Sequence, residues 1–361
     1  MENSKSLPQL AGKGNNKLIA LHQTQLAWST FVTFFVLGTV AFLWVSGYHL
    51  VGVGMLSLLL FLLWYSVGAH IQSLATISLL KQYHRPDYLG LELSIRKLKQ
   101  LLTVLPVKKE PYLMLLNYYI SYCQQYQGKY EESLSVYALI DEKRISRGYF
   151  RYPYYAVKLS NEALSNLLTG EPETAESLVD KSISVCEEKE EKHRQALIYP
   201  ITVKVECLLE REDYDRARKL SQEALKRIND IKKPPLWMLP LSLDQYKLSN
   251  LANLAFISIK KGELEKVELQ IMQIESIYNQ NKELISPFHF RPLIRLCDSL
   301  VEIERTDLAQ NLLEMIYAKA RAVPFHPDIP RMLDLFENVL QISGKSDQVE
   351  NMRAWLLTVG E

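Results

Sequence analysis

Few side chains in this chain stand in an arrangement that could carry out a reaction. The four cysteines, Cys123, Cys186, Cys207 and Cys297, show neither CxxC nor Cys/His spacing. They read as reduced, half-buried residues on helices rather than as metal ligands or a disulfide framework. His289 and His326 lie in the phrases Phe288-His289-Phe290 and Phe325-His326-Pro327, neither with a second ligand at metal-binding spacing. No phosphate loop, His-Glu-x-x-His, nucleophile elbow or dinucleotide fingerprint occurs, so no catalysis, metal or cofactor is expected. Binding chemistry is better represented. Eleven tyrosines fall between Tyr112 and Tyr155, and Tyr118, Tyr122 and Tyr126 are spaced by four, which puts them on one helix face. Tyrosine supplies large contact area at low entropic cost and is enriched at binding hot spots. The same rings are equally suited to filling contacts between helices.

The elements that would position these tyrosines recur. A short phrase returns along the chain, as Gln127-Gly128-Lys129-Tyr130-Glu131, Thr169-Gly170-Glu171-Pro172-Glu173, Arg211-Glu212-Asp213-Tyr214-Asp215 and Lys261-Gly262-Glu263-Leu264-Glu265. Weaker copies stand at Glu304 to Ala309 and Gly344 to Val349. The positions of Gly128, Gly170, Glu212, Gly262, Glu304 and Gly344 are separated by 42, 42, 50, 42 and 40 residues. A period of that size marks a stacked repeat array. Each copy is the turn of an antiparallel helix pair, a unit that cannot bury its apolar face without neighbours. Apolar spacing supports helices independently, since Leu91, Ile95, Leu98 and Leu102 step by four, three and four.

Aligned on its turns, the chain resembles the tetratricopeptide repeat family. Small residues pair across the two helices of a unit, as Ser121 with Ser133 and Ala163 with Ala175; Val205 stands opposite Ala217, Ala255 opposite Val267, Cys297 opposite Ala309 and Glu337 opposite Val349. The period exceeds that usual for the family, so the resemblance is to a long-helix branch of about 42 residues. It implies an all-α fold, a TPR-like α-solenoid of about six helix-pair repeats over residues 71–361, with a leading half or full repeat placed by stepping back from Gly128 to Pro86. The family usually binds proteins or peptides in the groove lined by the first helix of each pair. On that face the resemblance places Tyr118, Tyr122, Tyr126, Asn161, Tyr199 and Glu206. Family members that clamp a chaperone's C-terminal carboxylate use Lys and Asn where tyrosines stand here, which disfavours that role. The 50-residue step holds an insertion with Trp237 and Met238, apolar side chains that either fold back onto the array or contact a partner.

Ahead of the array, no Lys, Arg, Asp or Glu occurs between Lys17 and Lys81. Two apolar runs, 26–45 and 50–69, match the roughly 20 residues that span a bilayer. They predict an N-terminal transmembrane hairpin (26–70) after an N-tail (1–25). Lys5, Lys13 and Lys17 before it, and Lys81, Arg85, Arg96, Lys97 and Lys99 after it, predict both termini in the cytoplasm. A multi-pass protein of a bacterial cytoplasmic membrane is expected, and those last five residues are candidates for anionic lipid contact. Outside the first 17 residues the chain carries 39 basic and 40 acidic residues, which argues against a nucleic acid partner. The expected function is thus a membrane-anchored, non-catalytic scaffold for a protein or peptide. The alternative is an accessory or regulatory subunit of a transport or channel complex, in which the hairpin itself acts.

Overall fold

The computed structural model describes residues 31, 34–35, 37–48, 51, 53, 55–58, 88–104, 110–141, 154–188, 196–231, 243–280, 287–320, 326–345 and 347–350. The array is all-helical. Helix α1 (Tyr88–Val104) packs on α2 (Glu110–Tyr126), which turns into α3 (Tyr130–Tyr137). The pairs α4 (Tyr154–Leu168) with α5 (Pro172–Glu187), α6 (Ile198–Glu210) with α7 (Tyr214–Asp230), α8 (Leu243–Lys260) with α9 (Leu264–Gln280), and α10 (Phe290–Glu302) with α11 (Thr306–Ala320) follow. Helix α12 (Ile329–Ile342) packs on α11 and α10.

All six turns have one construction. Gly128, Gly170, Gly262 and Gly344 adopt positive φ, and so do Glu212 (58°) and Glu304 (62°), where the repeat offers no glycine. Each ends its helix in a left-handed residue. The next N–H then reaches back five residues to a helix carbonyl, as Lys129 to Gln124 (2.9 Å), Asp213 to Leu208 (2.9 Å) and Lys345 to Leu340 (2.9 Å).

Within a pair the small residues meet as the spacing predicts. Ser121 and Ser133 are fully buried, with Ser133 Oγ donating to the Ser121 carbonyl at 2.9 Å, and Ala163, Ala175, Ala217, Ala255 and Ala309 are equally buried. The second helix of a pair buries one stripe; in α7 it is Ala217, Ser221, Ala224 and Ile228. The first helix is enclosed on nearly every side: α6 is buried continuously from Pro200 to Leu209, and α8 from Leu248 to Ile259. First helices also touch the first helices of neighbouring units, α4 with α6, α6 with α8 and α8 with α10. The array is therefore wound tightly, second helices outward. Along the outer rim a basic turn residue repeatedly pairs with the preceding outer helix, Arg211 with Glu176, Lys261 with Asp215, and Arg305 with Glu268 at 2.6 Å.

Two expectations need correction. Among the described residues no helix is long and apolar enough to cross a membrane. This overturns the multi-pass localisation and leaves the anchored-scaffold and transport-subunit readings without their hairpin. Residues 26–30, 32–33 and 36 of the first run and 50, 52, 54 and 59–69 of the second, with Lys81 and Arg85, lie outside the described residues. The remaining basic candidates for lipid contact are largely engaged within the fold: Arg96 pairs with Glu92 at 2.7 Å, and Lys99 Nζ donates to Asn117 Oδ1 at 2.7 Å. Burial, with Arg96 adding to it, pulls the Lys99 ammonium below its usual range.

Candidate functional site

The predicted site residues separate into three groups. At the start of the array, Tyr122 and Tyr126 lie one turn apart on α2 with ring centroids 4.5 Å apart, and Tyr88 of α1 stacks on Tyr126 at 4.9 Å and meets Tyr122 at 6.4 Å. Burial, then the neighbouring tyrosines, push the Tyr122 phenol well above its usual range. Tyr122 and Tyr126 are half-buried, whereas Tyr118 is buried against Tyr119 at 5.3 Å. Tyr118 therefore acts as packing.

The second group joins neighbouring first helices. Asn161 of α4 is buried; its Oδ1 accepts from the Tyr199 hydroxyl of α6, and its carbonyl accepts from Gln125 Nε2 of α2 at 3.0 Å. The third group lies further on. Glu206 of α6 accepts from Asn253 Nδ2 of α8 at 2.6 Å and from Arg295 of α10 at 2.8 Å, and Arg295 also donates to Asn253 Oδ1 at 2.8 Å. Arg295 lies over the Phe256 ring at 5.1 Å, and Arg291 donates to Glu210 at 2.7 Å. Polar links thus run from one first helix to the next, from α2 to α10.

The array bends far enough for its ends to meet. Gly128, in the first turn, faces Pro327 in the segment before α12 so closely that a Cβ there would run into Pro327 Cδ and lie 2.6 Å from Cγ. Beside this seam is a recess lined by Gln125, Tyr126, Tyr130, Leu164, Leu168, Phe288, Arg291, His326 and Asp328, with an empty space of about 400 Å³ counting the part open to solvent. Its walls belong to α2, α3, α4, the turn before α10, α10 itself and the segment before α12. Burial pushes the Tyr130 phenol up, with Asp328 adding and Arg291 opposing. Burial pulls the His326 imidazole below its usual range, against the pull of Asp328.

The sequence placed Tyr126 on the groove face of its helix and gave no sign of the recess, of its residues Gln125, Leu164, Leu168 and Asp328 or, in the polar spine, of Asn253 and Arg295. One signal was available: Asn161, Asn253 and Arg295 each precede their turn position by nine residues. Trp237 and Met238 lie outside the described residues. No group of three or more His, Cys, Asp or Glu side chains suited to a metal occurs among the described residues. All four thiols are buried, and burial with Glu206 beside it pushes the Cys207 thiol up to about 12.

No family model matches the chain, and no curated protein does. Among solved structures it resembles a Rap protein complexed with competence and sporulation factor, with a TM-score of 0.52 and 10% identity, over 91% of this chain and 93% of that one. The fold is a TPR-like solenoid. The solenoid is also similar to BtubC from P. vanneervenii (TM-score 0.47, 14% identity, 72% of this chain and 91% of that one) and to the apo form of RapI (TM-score 0.44, 10% identity, 97% and 87%). At such identities the likeness concerns the fold of the solenoid.

Proposed function

We propose that the solenoid is a non-catalytic binding module for an extended protein or peptide segment, engaged at its tyrosine-rich first units. The observation that carries this reading is the half-buried cluster of Tyr88, Tyr122 and Tyr126, in which Tyr88 stacks on Tyr126 and Tyr126 also lines the neighbouring recess. Such rings are rigid and amphipathic, and partly exposed ones offer a partner contact area at little entropic cost. The solved Rap protein of similar fold is described in complex with a factor, which supports a ligand-binding use of this architecture. Asn161, Tyr199 and Glu206 serve this reading by fixing the stacking of the first helices, and Tyr122 and Tyr126 touch the ligand.

The test is selection of the full chain against a displayed library of random peptides. Peptides should be enriched over an unrelated helical protein, and Tyr122→Ala should weaken their binding at least tenfold. Absence of enrichment, or binding indifferent to Tyr122→Ala and Tyr126→Ala, would overturn it.

A further inference from the structure

The apolar core of the array is uneven. Side chains of α8 to α12, from Leu248 to Val349, form one continuous core, and those from Leu91 to Leu159 form another across α1 to α4. Between the two, among the described residues, apolar packing breaks into four smaller clusters spread over α4 to α8. First helices meet there partly through hydrogen bonds, as where Asn250 Nδ2 donates to Thr202 Oγ1 at 2.9 Å. Two blocks with large cores are thus joined through a middle whose packing is divided, and a bend in that middle leaves both cores intact.

The same two blocks meet again at the seam, and there the contact is slight. Among the described residues, no helix from α2 to α5 packs on α10, α11 or α12 as successive units pack on one another. One tight turn closes the gap. The His326 carbonyl accepts the Ile329 N–H at 3.0 Å, His326 Nδ1 accepts the Asp328 N–H at 3.3 Å, and the Phe290 ring of α10 packs on the imidazole. Pro327 stands at the tip of this turn, seated on Gly128, yet it stays exposed itself. A contact that hides so little surface holds weakly. Its place matters more than its strength. Tyr126 belongs both to the tyrosine cluster and to the recess, where Tyr130, Leu164 and Leu168 stand with it on the side of the first units, and Phe288, His326 and Asp328 come from the last ones. A space of about 400 Å³, part of it open to solvent, takes a small group and not an extended chain.

We propose that the seam is an autoinhibitory latch: with Pro327 on Gly128 the ring is shut across the face that runs from Tyr126 to Leu164 and Leu168, and an extended peptide binds after this contact has parted. This rests on the binding role proposed above and adds its regulation. Only the open fraction binds, so the apparent affinity is reduced by that fraction, and a change that loosens the latch raises it.

Spin labels on Glu131→Cys of α3 and Asp334→Cys of α12, both exposed positions, read the opening of the full chain by electron double resonance, because all four native thiols are buried. The otherwise unmodified ring should give mainly one short distance. Gly128→Ala, which wedges the contact, and Pro327→Ala, which removes the ring atoms that meet Gly128, should each add a longer one, while Gly170→Ala, a control for turn strain, should not. One distance shared by all four proteins, short or long, overturns the latch. The second arm uses the peptides enriched by the library selection. They should bind Pro327→Ala and Gly128→Ala at least tenfold more tightly than the unmodified chain or Gly170→Ala. Equal or weaker binding by Pro327→Ala overturns the latch, while the binding role stands. If the unmodified chain enriches no peptide, the binding role falls and the autoinhibition falls with it, whatever the distances show.

Discussion

Arg295 and Glu206 meet at 2.8 Å although 89 residues separate them. They belong to α10 and α6, two units apart, and the carboxamide of Asn253 in α8 fills the gap between them. Such a contact requires successive first helices to wind closely around a common axis. Both side chains are largely withdrawn from water, and a buried pair that loses one member leaves the other uncompensated. Glu206→Ala should therefore lower stability by about 3 kcal/mol. Glu206→Leu combined with Arg295→Met should cost clearly less than the sum of the single changes, as read from urea unfolding of all four proteins.

Gly128 and Gly170 separate backbone strain from closure of the seam. Both have positive φ, at 77° and 86°, but a Cβ on Gly170 meets open space whereas one on Gly128 strikes Pro327. Gly170→Ala should cost about 1–2 kcal/mol, the left-handed penalty alone. Gly128→Ala should cost at least about 1 kcal/mol more, as expected for steric overpacking. Small-angle scattering of Gly128→Ala, but not of Gly170→Ala, should show an enlarged radius. Equal costs and equal radii would mean that the ends do not hold each other.

Glu212 and Glu304 occupy the same left-handed position without the freedom of glycine. Glu212→Gly and Glu304→Gly should each stabilise the solenoid, by about 1 kcal/mol, because the strain relieved exceeds the extra chain entropy of glycine. Thermal midpoints of the single and double variants give the measurement, and the two gains should add.

The imidazole of His326 gives the seam a pH dependence. Burial lowers its folded value below the ordinary 6.5, opposed by Asp328, while the Phe290 ring packs against it at 5.3 Å. An unfolded chain then binds more protons than the folded one between the folded value and 6.5. The contribution is complete above pH 6.5 and is lost as pH falls from there through the folded value. NMR titration of the His326 ring should give a midpoint below 6.5, and His326→Gln should flatten the fall in urea midpoint between pH 7 and pH 5.

The array was legible in the sequence because its turns demand a rare conformation. Six positions found from a recurring phrase and its interval, four of them glycine, are the six left-handed turn residues that follow these helices. The small pairs such as Ser121 with Ser133 were legible for a similar reason, since close backbone approach limits residue size. Tyr122 and Tyr126 share the predicted face, but the spacing of α2 could not show that Tyr88 of α1 would stack on them. The recess was not legible at all. It joins Gln125 to Phe288 and Asp328, which are brought together by the curvature summed over three and four intervening helix pairs respectively, and no local pattern carries that sum. The spans expected at 26–45 and 50–69 rested on hydropathy alone, and among the described residues no helix is long and apolar enough to cross a membrane.

An open repeat stack can lose its last unit and forfeit little beyond the contacts of that unit. Pro327 resting on Gly128 removes this tolerance. Cutting the chain ahead of His326 would uncover Tyr130 and Gln125 at the opposite end, so damage at one terminus is felt at the other. The number of units is then a closure condition, and an inserted or deleted repeat would leave the ring unable to shut.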